Sequence, residues 1–105
     1  MAATKFYSTS AGDFFQVVRE TKTTVTIRPV ESECLGTTTV YTAFDYDVKR
    51  KAKENAFTTS YLLTDTQNRN GKRCKVSDGT ICINSAWSVY AYASDGIDEF
   101  NRNLG

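Results

Sequence analysis

The sequence predicts a β-rich single domain, mainly antiparallel β with one or two short helices, in the form of a small, strongly twisted sheet or barrel. Three observations carry that expectation. Phe14–Val30 (FFQVVRETKTTVTIRPV) sets two runs rich in β-branched and aromatic residues on either side of the polar turn Glu20-Thr21-Lys22-Thr23, which is the signature of a hairpin. Lys72–Asn84 (KRCKVSDGTICIN) repeats the pattern around Asp78-Gly79, the strongest short hairpin signal in the chain, because a type I′ turn needs positive φ at both central positions. The chain also favours Thr, Tyr and Phe over Leu and Ala, the preference of pleated, half-buried surfaces. At 105 residues it holds one core and one domain, 1–105. A chain of this size buries roughly two-thirds of its unfolded surface and needs no metal or disulfide to fold.

Along the chain, Lys5–Thr9 reads as a short extended segment closed by Ser10-Ala11-Gly12-Asp13. In the first hairpin Phe15 and Val17 share one face, and Phe14 and Val18 the other. Val25 and Ile27 alternate with Thr24, Thr26 and Arg28 on the return strand. The turn leaves two registers open: a two-residue loop sets Val18 opposite Val25, and a three-residue loop sets Val17 opposite Ile27. Pro29 removes a ladder donor and marks an edge or a bend. Glu31–Gly36 is expected to leave the hairpin, and Thr37–Phe44 to form a third strand.

Val48, Ala52 and Ala56 recur at helical spacing, with Asp45 or Asp47 as N-cap, so Asp45–Phe57 is expected as a short helix. Tyr61, Leu62 and Leu63 can pack, and Thr64–Gly71 (TDTQNRNG) reads as a polar loop. In the second hairpin a two-residue loop pairs Val76 with Ile81 and Cys74 with Ile83 on the inner face, and Lys75 with Cys82 on the outer face. Trp87–Tyr92 continues as a strand in which Trp87, Val89 and Ala91 alternate with Ser88, Tyr90 and Tyr92. Asp95-Gly96 turns the chain, and Asp98–Leu104 is expected as a last helical turn with Phe100 inward.

Thirteen basic and twelve acidic side chains leave a net charge of +1, which argues against a global electrostatic footprint for nucleic acid and equally against an acidic mimic of DNA. The basic residues are nevertheless clustered: Lys49, Arg50, Lys51 and Lys53 form one group, and Arg69, Lys72, Arg73 and Lys75 another. Such clusters serve as solvated faces or as patches for phosphate or acidic partners. The absence of His removes the commonest general base and zinc ligand. Cys34, Cys74 and Cys82 are an odd number without Cys-x-x-Cys spacing, which fits neither a disulfide framework nor a zinc site and suits a reducing compartment. The N-terminal MAATKFYSTS has no apolar segment of signal-peptide length, and no run reaches the length of a membrane helix. The expectation is a cytoplasmic protein without a membrane partner.

No nucleophile–base pair or Gly-rich phosphate loop is visible, and the acidic pairs Glu31/Glu33, Asp45/Asp47 and Asp98/Glu99 lack a calcium-loop pattern. The reading is a binding protein and not an enzyme, with no cofactor and no metal. Tyr and Trp are favoured at interfaces, and among the aromatic residues Tyr90 and Tyr92 are expected to be exposed, since their strand neighbours are apolar. The expected partner-binding residues are Lys49, Arg50, Lys51, Lys53, Arg69, Lys72, Arg73, Tyr90 and Tyr92.

The segments FFQVVRETKTTVTIRPVESE, KRCKV and INSAWSVYAY, followed by Asp95-Gly96 and Phe100-Asn101, resemble a loose set of small proteins encoded by phages and mobile elements. Those pair an aromatic-x-V-V…T-V-T-I/L-R hairpin with a C-terminal aromatic–Asp-Gly tail. The likeness covers about half the chain; the long Asp45–Gly71 middle and Ser94 before Asp-Gly depart from it. It implies an anti-CRISPR protein acting in the host cell. The implied partner is a bacterial defence effector, a Cas9-type nuclease first, with or without its bound nucleic acid. The fold reading, a small twisted sheet or barrel of the Src-homology-3 type, leaves as alternative function a nucleic-acid-binding small-barrel module that uses the same residues for stacking and phosphate contact.

Overall fold

A computed structural model describes residues 5–103. Its strands are β1 (Phe6–Ser8), β2 (Phe14–Glu20), β3 (Thr24–Val40), β4 (Asp45–Phe57), β5 (Lys72–Lys75), β6 (Thr80–Asn84), β7 (Val89–Ser94) and β8 (Ile97–Asn103), with one helix, α1 (Asp65–Asn70), between β4 and β5. All pairings are antiparallel and make one eight-stranded sheet in the order β6-β7-β1-β2-β3-β4-β8, with β5 on β3. The expected β-rich, twisted sheet is what forms. It curls but does not close into a barrel: β5 hydrogen-bonds to β3 and β6 to β7, and a single Ser77–Thr80 bridge joins the β5–β6 hairpin.

The curled body is held by Tyr7, Phe15, Val25, Ile27, Leu62, Leu63, Cys74, Ile81, Ile83 and Ala91. The alternation of β3 and β6 delivers them: Val25 and Ile27, then Ile81 and Ile83, point inward, and the residues between them point outward. The first hairpin takes the register that sets Val17 opposite Ile27, and a bulge between Val17 and Arg19 absorbs Val18, which is left exposed. The second hairpin turns through Asp78 (φ 52°) and Gly79 (φ 75°), the positive pair that Asp-Gly supplies, but the expected Val76–Ile81, Lys75–Cys82 and Cys74–Ile83 pairings do not form a ladder, because β5 pairs with β3 and β6 with β7. Cys74 is buried and Cys82 half-buried, both free.

A second, smaller core of Phe6, Phe14, Val30, Ala52 and Phe100 fills the opposite face of β1–β2. Phe14 meets Phe100 edge to face at 5.7 Å. Over this core lies an arm formed by the far half of β3, β4 and β8. Body and arm are tied by Gln16, buried on β2: its side-chain amide donates to Asn55 Oδ1 (3.0 Å), and its carbonyl accepts from the Asn55 N–H (2.7 Å).

Four further expectations are corrected. Asp45–Phe57 is a strand, not a helix. The spacing of Val48 to Ala52 is four residues, which repeats on one face of a strand as well as of a helix, and the central position between β3 and β8 overrides the helical propensity of KRKAKENA. Arg50, on that same face, lies across to Ser32, donating to its Oγ (3.0 Å) and its carbonyl (3.2 Å). Glu31–Gly36 does not leave the hairpin but continues β3, which ends at Val40, and the chain turns at Tyr41–Phe44. Pro29 marks the edge where partners change: its carbonyl accepts from the Thr58 N–H at 3.0 Å, and β3 gives up β5 after Ile27 and takes β4 from Val30. A missing N–H costs nothing there.

Thr64–Gly71 is not a loop but carries α1, opened by a capping box in which Thr64 Oγ1 accepts from the Gln67 N–H (3.2 Å) and Gln67 Oε1 accepts from the Thr64 N–H (3.0 Å). The last segment is strand β8, not a helical turn, although Phe100 is buried as expected; Leu104 lies outside the described residues.

Candidate functional site

Three of the most exposed aromatic side chains of the body line one groove, and a fourth, Trp87, leans on one of them from outside. Tyr61, Trp87, Tyr90 and Tyr92 are each more than half exposed, at 76, 65, 52 and 58 %. On β7, Ala91 points into the core and sends Tyr90 and Tyr92 outward. Trp87 is not in the strand, as the sequence suggested, but in the Ser85–Ser88 turn before it, where its ring leans on Tyr61 at 5.6 Å between centroids. Three adjoining cavities form the groove. One of about 380 Å³ lies at the root of the arm, between Asp13, Pro29, Glu31, Arg50 and Tyr61. The second, of about 220 Å³, shares Asp13 and Tyr61 with it and adds Tyr90 and Tyr92. The third, of about 420 Å³, shares Thr9, Ser10 and Tyr92 with the second and ends against Asp98–Asn101 of β8.

Two asparagines hold the aromatic pair in place. Asn68 of α1 is buried: its Oδ1 accepts from the Ser60 N–H (2.9 Å), and its Nδ2 donates to the carbonyls of Ser60 (3.1 Å) and Leu63 (3.4 Å), fixing the segment that carries Tyr61. Asn84 works on both sides of the pair, donating to the Leu62 carbonyl (2.9 Å) and accepting from the Trp87 N–H (3.2 Å). The groove floor is equally constrained: the Thr9 N–H donates to the Asp13 carbonyl (3.0 Å), and the Asp13 N–H donates to Thr9 Oγ1 (3.2 Å). Sequence reading missed Tyr61, Trp87 and these braces. The signals were the Thr64-x-x-Gln67 capping box and the Asn at the start of the NSAW turn, a residue type that bonds the backbone just ahead of it.

The expected site residues are only partly brought together. Tyr90 and Tyr92 line the groove. Of the basic set only Arg50 does, and it is bonded to Ser32. Lys49, Lys51 and Lys53 lie on the arm, where Lys49 stands opposite Glu99 and Lys51 opposite Glu33 in the register. Arg69 is exposed on α1 and Arg73 on β5. Lys72 is turned inward, donating from Nζ to the Ile83 carbonyl and thereby bracing β5 against β6.

The groove itself is acidic: Asp13, Glu31, Asp98 and Glu99 line it, against Arg50 and the nearby Arg102, whose guanidinium approaches Gly12. Ser8 Oγ donates to Asp98, and Thr9 Oγ1 to Asp13 at 3.3 Å. Among the described residues no three Cys, Asp or Glu side chains are grouped to hold a metal ion, and no helix is long and apolar enough to cross a membrane.

Comparison with protein families, with curated proteins and with solved structures finds no match to this chain.

Proposed function

We propose that the protein acts by stoichiometric binding to a protein partner through the aromatic groove, and that the partner is a bacterial defence nuclease, a Cas9-type effector first. The observation that carries the binding mode is the Tyr61–Trp87 pair beside Tyr90 and Tyr92, four large aromatic side chains presented to solvent on a braced frame. Burying such rings against a partner is what makes interface hot spots, and little ordering entropy opposes it when the rings are already held. The β4 lysines contribute little by comparison, since they are solvated and stand among carboxylates. The choice of partner rests on the likeness of the two hairpins and the Asp-Gly tail to phage-encoded anti-CRISPR proteins. The mode of action is binding alone, in the compartment where the effector works.

Titration of a purified Cas9-type complex with the protein tests the reading. DNA cleavage is expected to fall linearly and reach its floor at an equimolar ratio. Complete inhibition far below equimolar protein would replace binding by catalysis. Absence of inhibition, together with strong salt-sensitive binding of single-stranded DNA by the isolated protein, would put the nucleic-acid module in its place.

A further inference from the structure

We infer that the occupant of the groove is a cationic segment of the partner, a stretch of chain carrying arginine or lysine side chains, seated between the tyrosines and the groove carboxylates. The inference rests on the proposed protein-binding role of this surface and names the chemistry it selects.

The walls and the charge both point to that occupant. Tyr61, Tyr90 and Tyr92 line one cavity and are all more than half exposed, so their rings are accessible to a guanidinium or ammonium group. At the two ends of the groove the side chains are predominantly acidic. Asp13 and Glu31 stand at the arm root, and Asp98 and Glu99 at β8. Of the nearby cations, Arg50 is bonded to Ser32 and stands opposite Asp98 in the register, Lys49 stands opposite Glu99, and Arg102 lies beside Gly12 at the rim, which leaves Asp13 and Glu31 at the arm root as the groove carboxylates without a basic cross-strand neighbour among the described residues. An anionic segment would set its charge against Asp13 and Glu31 at the arm root, whereas a cationic one finds those carboxylates there and aromatic rings beside them. The protein makes the same contact once internally: the Arg28 guanidinium carbon lies 4.0 Å from the centre of the Phe57 ring. The three cavities run on from one another, which suits an extended chain over a compact ligand.

The test uses three short blocked peptides of equal length, alternating serine with arginine, with glutamate or with glutamine, titrated into the full chain with Trp87 emission and calorimetry as readouts. The arginine peptide is expected to bind at least roughly tenfold more tightly than the glutamine peptide, with affinity falling as salt rises and no binding of the glutamate peptide. Tyr61→Ala with Tyr92→Ala should remove most of that preference. Glu31→Gln with Glu99→Gln, both exposed and harmless to folding, should flatten the salt dependence while leaving the tyrosine contribution. Equal binding of the three peptides, or preference for glutamate, overturns the inference. The two fail separately: if the tyrosine variant loses nuclease inhibition but the arginine peptide neither binds nor competes with the effector, the groove is the binding site and its occupant is not cationic, which overturns the inference alone; if the arginine peptide binds with the expected preference and no nuclease is inhibited, the proposed function fails and the inference stands.

Discussion

Thr24–Val30 and Glu31–Val40 are two halves of one strand, and they behave as different materials. In the first half buried and half-buried residues alternate from Thr24 to Pro29, Val25 and Ile27 vanish into the core, and from Val25 to Ile27 both edges are paired, with β2 on one side and β5 on the other. In the second half nearly every residue is exposed, the register with β4 slips at Cys34/Gly36 and again at Thr37/Thr39, and the turn beyond it carries Tyr41 and Phe44 in solvent. A hydrogen-bonded ladder alone does not hold a register; a buried face does, because a one-residue slip would turn the core outward. The arm tolerates bulges because nothing packs under its tip. It fits that the radius of gyration, 14.1 Å, exceeds the roughly 13 Å of a compact chain this long.

The largest effect that would sharpen the contrast is in the body. Phe15→Ala, at a fully buried ring, is expected to cost about 3–5 kcal/mol, against within about 0.5 kcal/mol for Phe44→Ala at the arm turn. Urea unfolding of both variants checks this, and equal losses would break the comparison.

Smaller, and placed where the halves of the molecule meet, is Gly96→Ala. Gly96 links β7 to β8 at φ 96°, and an added Cβ would stand 2.9 Å from the Phe6 ring, so strain and overpacking combine to about 1–3 kcal/mol. Thermal unfolding that leaves the midpoint unchanged would show that the arm is not anchored there.

Asn84→Ala should cost about 1 kcal/mol through its two lost hydrogen bonds. Its more telling consequence is a red-shifted, more mobile Trp87 emission as the Tyr61–Trp87 pair loosens, which a stability effect elsewhere would not produce.

The smallest perturbation is chemical. Thiol labelling of the native protein at neutral pH should follow Cys34, then Cys82, then Cys74, because Cys34 is exposed on the arm and burial raises the Cys74 thiol above its ordinary pKa, keeping it protonated. Early labelling of Cys74 would show that the body core opens as readily as the arm.

The body was legible in the sequence and the arm was not, for the same physical reason. Phe15, Val17, Val25, Ile27, Ile81 and Ile83 alternate because a core requires it, so both turns and the inward faces could be read, whereas the β5–β6 pairing could not, since β5 pairs with β3 and β6 with β7. Asp45–Phe57 alternates poorly because only Val48 and Ala52 are fully buried and most of its other side chains are half-buried, and its composition then speaks for a helix that its neighbours forbid. The candidate site was half visible. Tyr90 and Tyr92 follow from strand alternation, but Tyr61 and Trp87 sit on turns, far apart in sequence, and meet only through Asn68 and Asn84. The clustered cations are visible as a string of letters, yet the fold uses Arg50 and Lys72 as internal struts and spreads the others over the arm, α1 and β5.

The central claim is that binding resides in the aromatic groove and not in the basic arm, and one paired measurement tests it. Tyr61→Ala/Tyr92→Ala and Lys49→Glu/Lys51→Glu/Lys53→Glu are compared as inhibitors of the same Cas9-type effector, with circular dichroism confirming that both fold. Arg50 is left intact because its bonds to Ser32 hold β4 to β3. The tyrosine variant is expected to lose roughly tenfold or more in inhibitory affinity, while the lysine variant stays within about twofold of the parent protein. Loss of inhibition by the lysine variant with full retention by the tyrosine variant would contradict that claim.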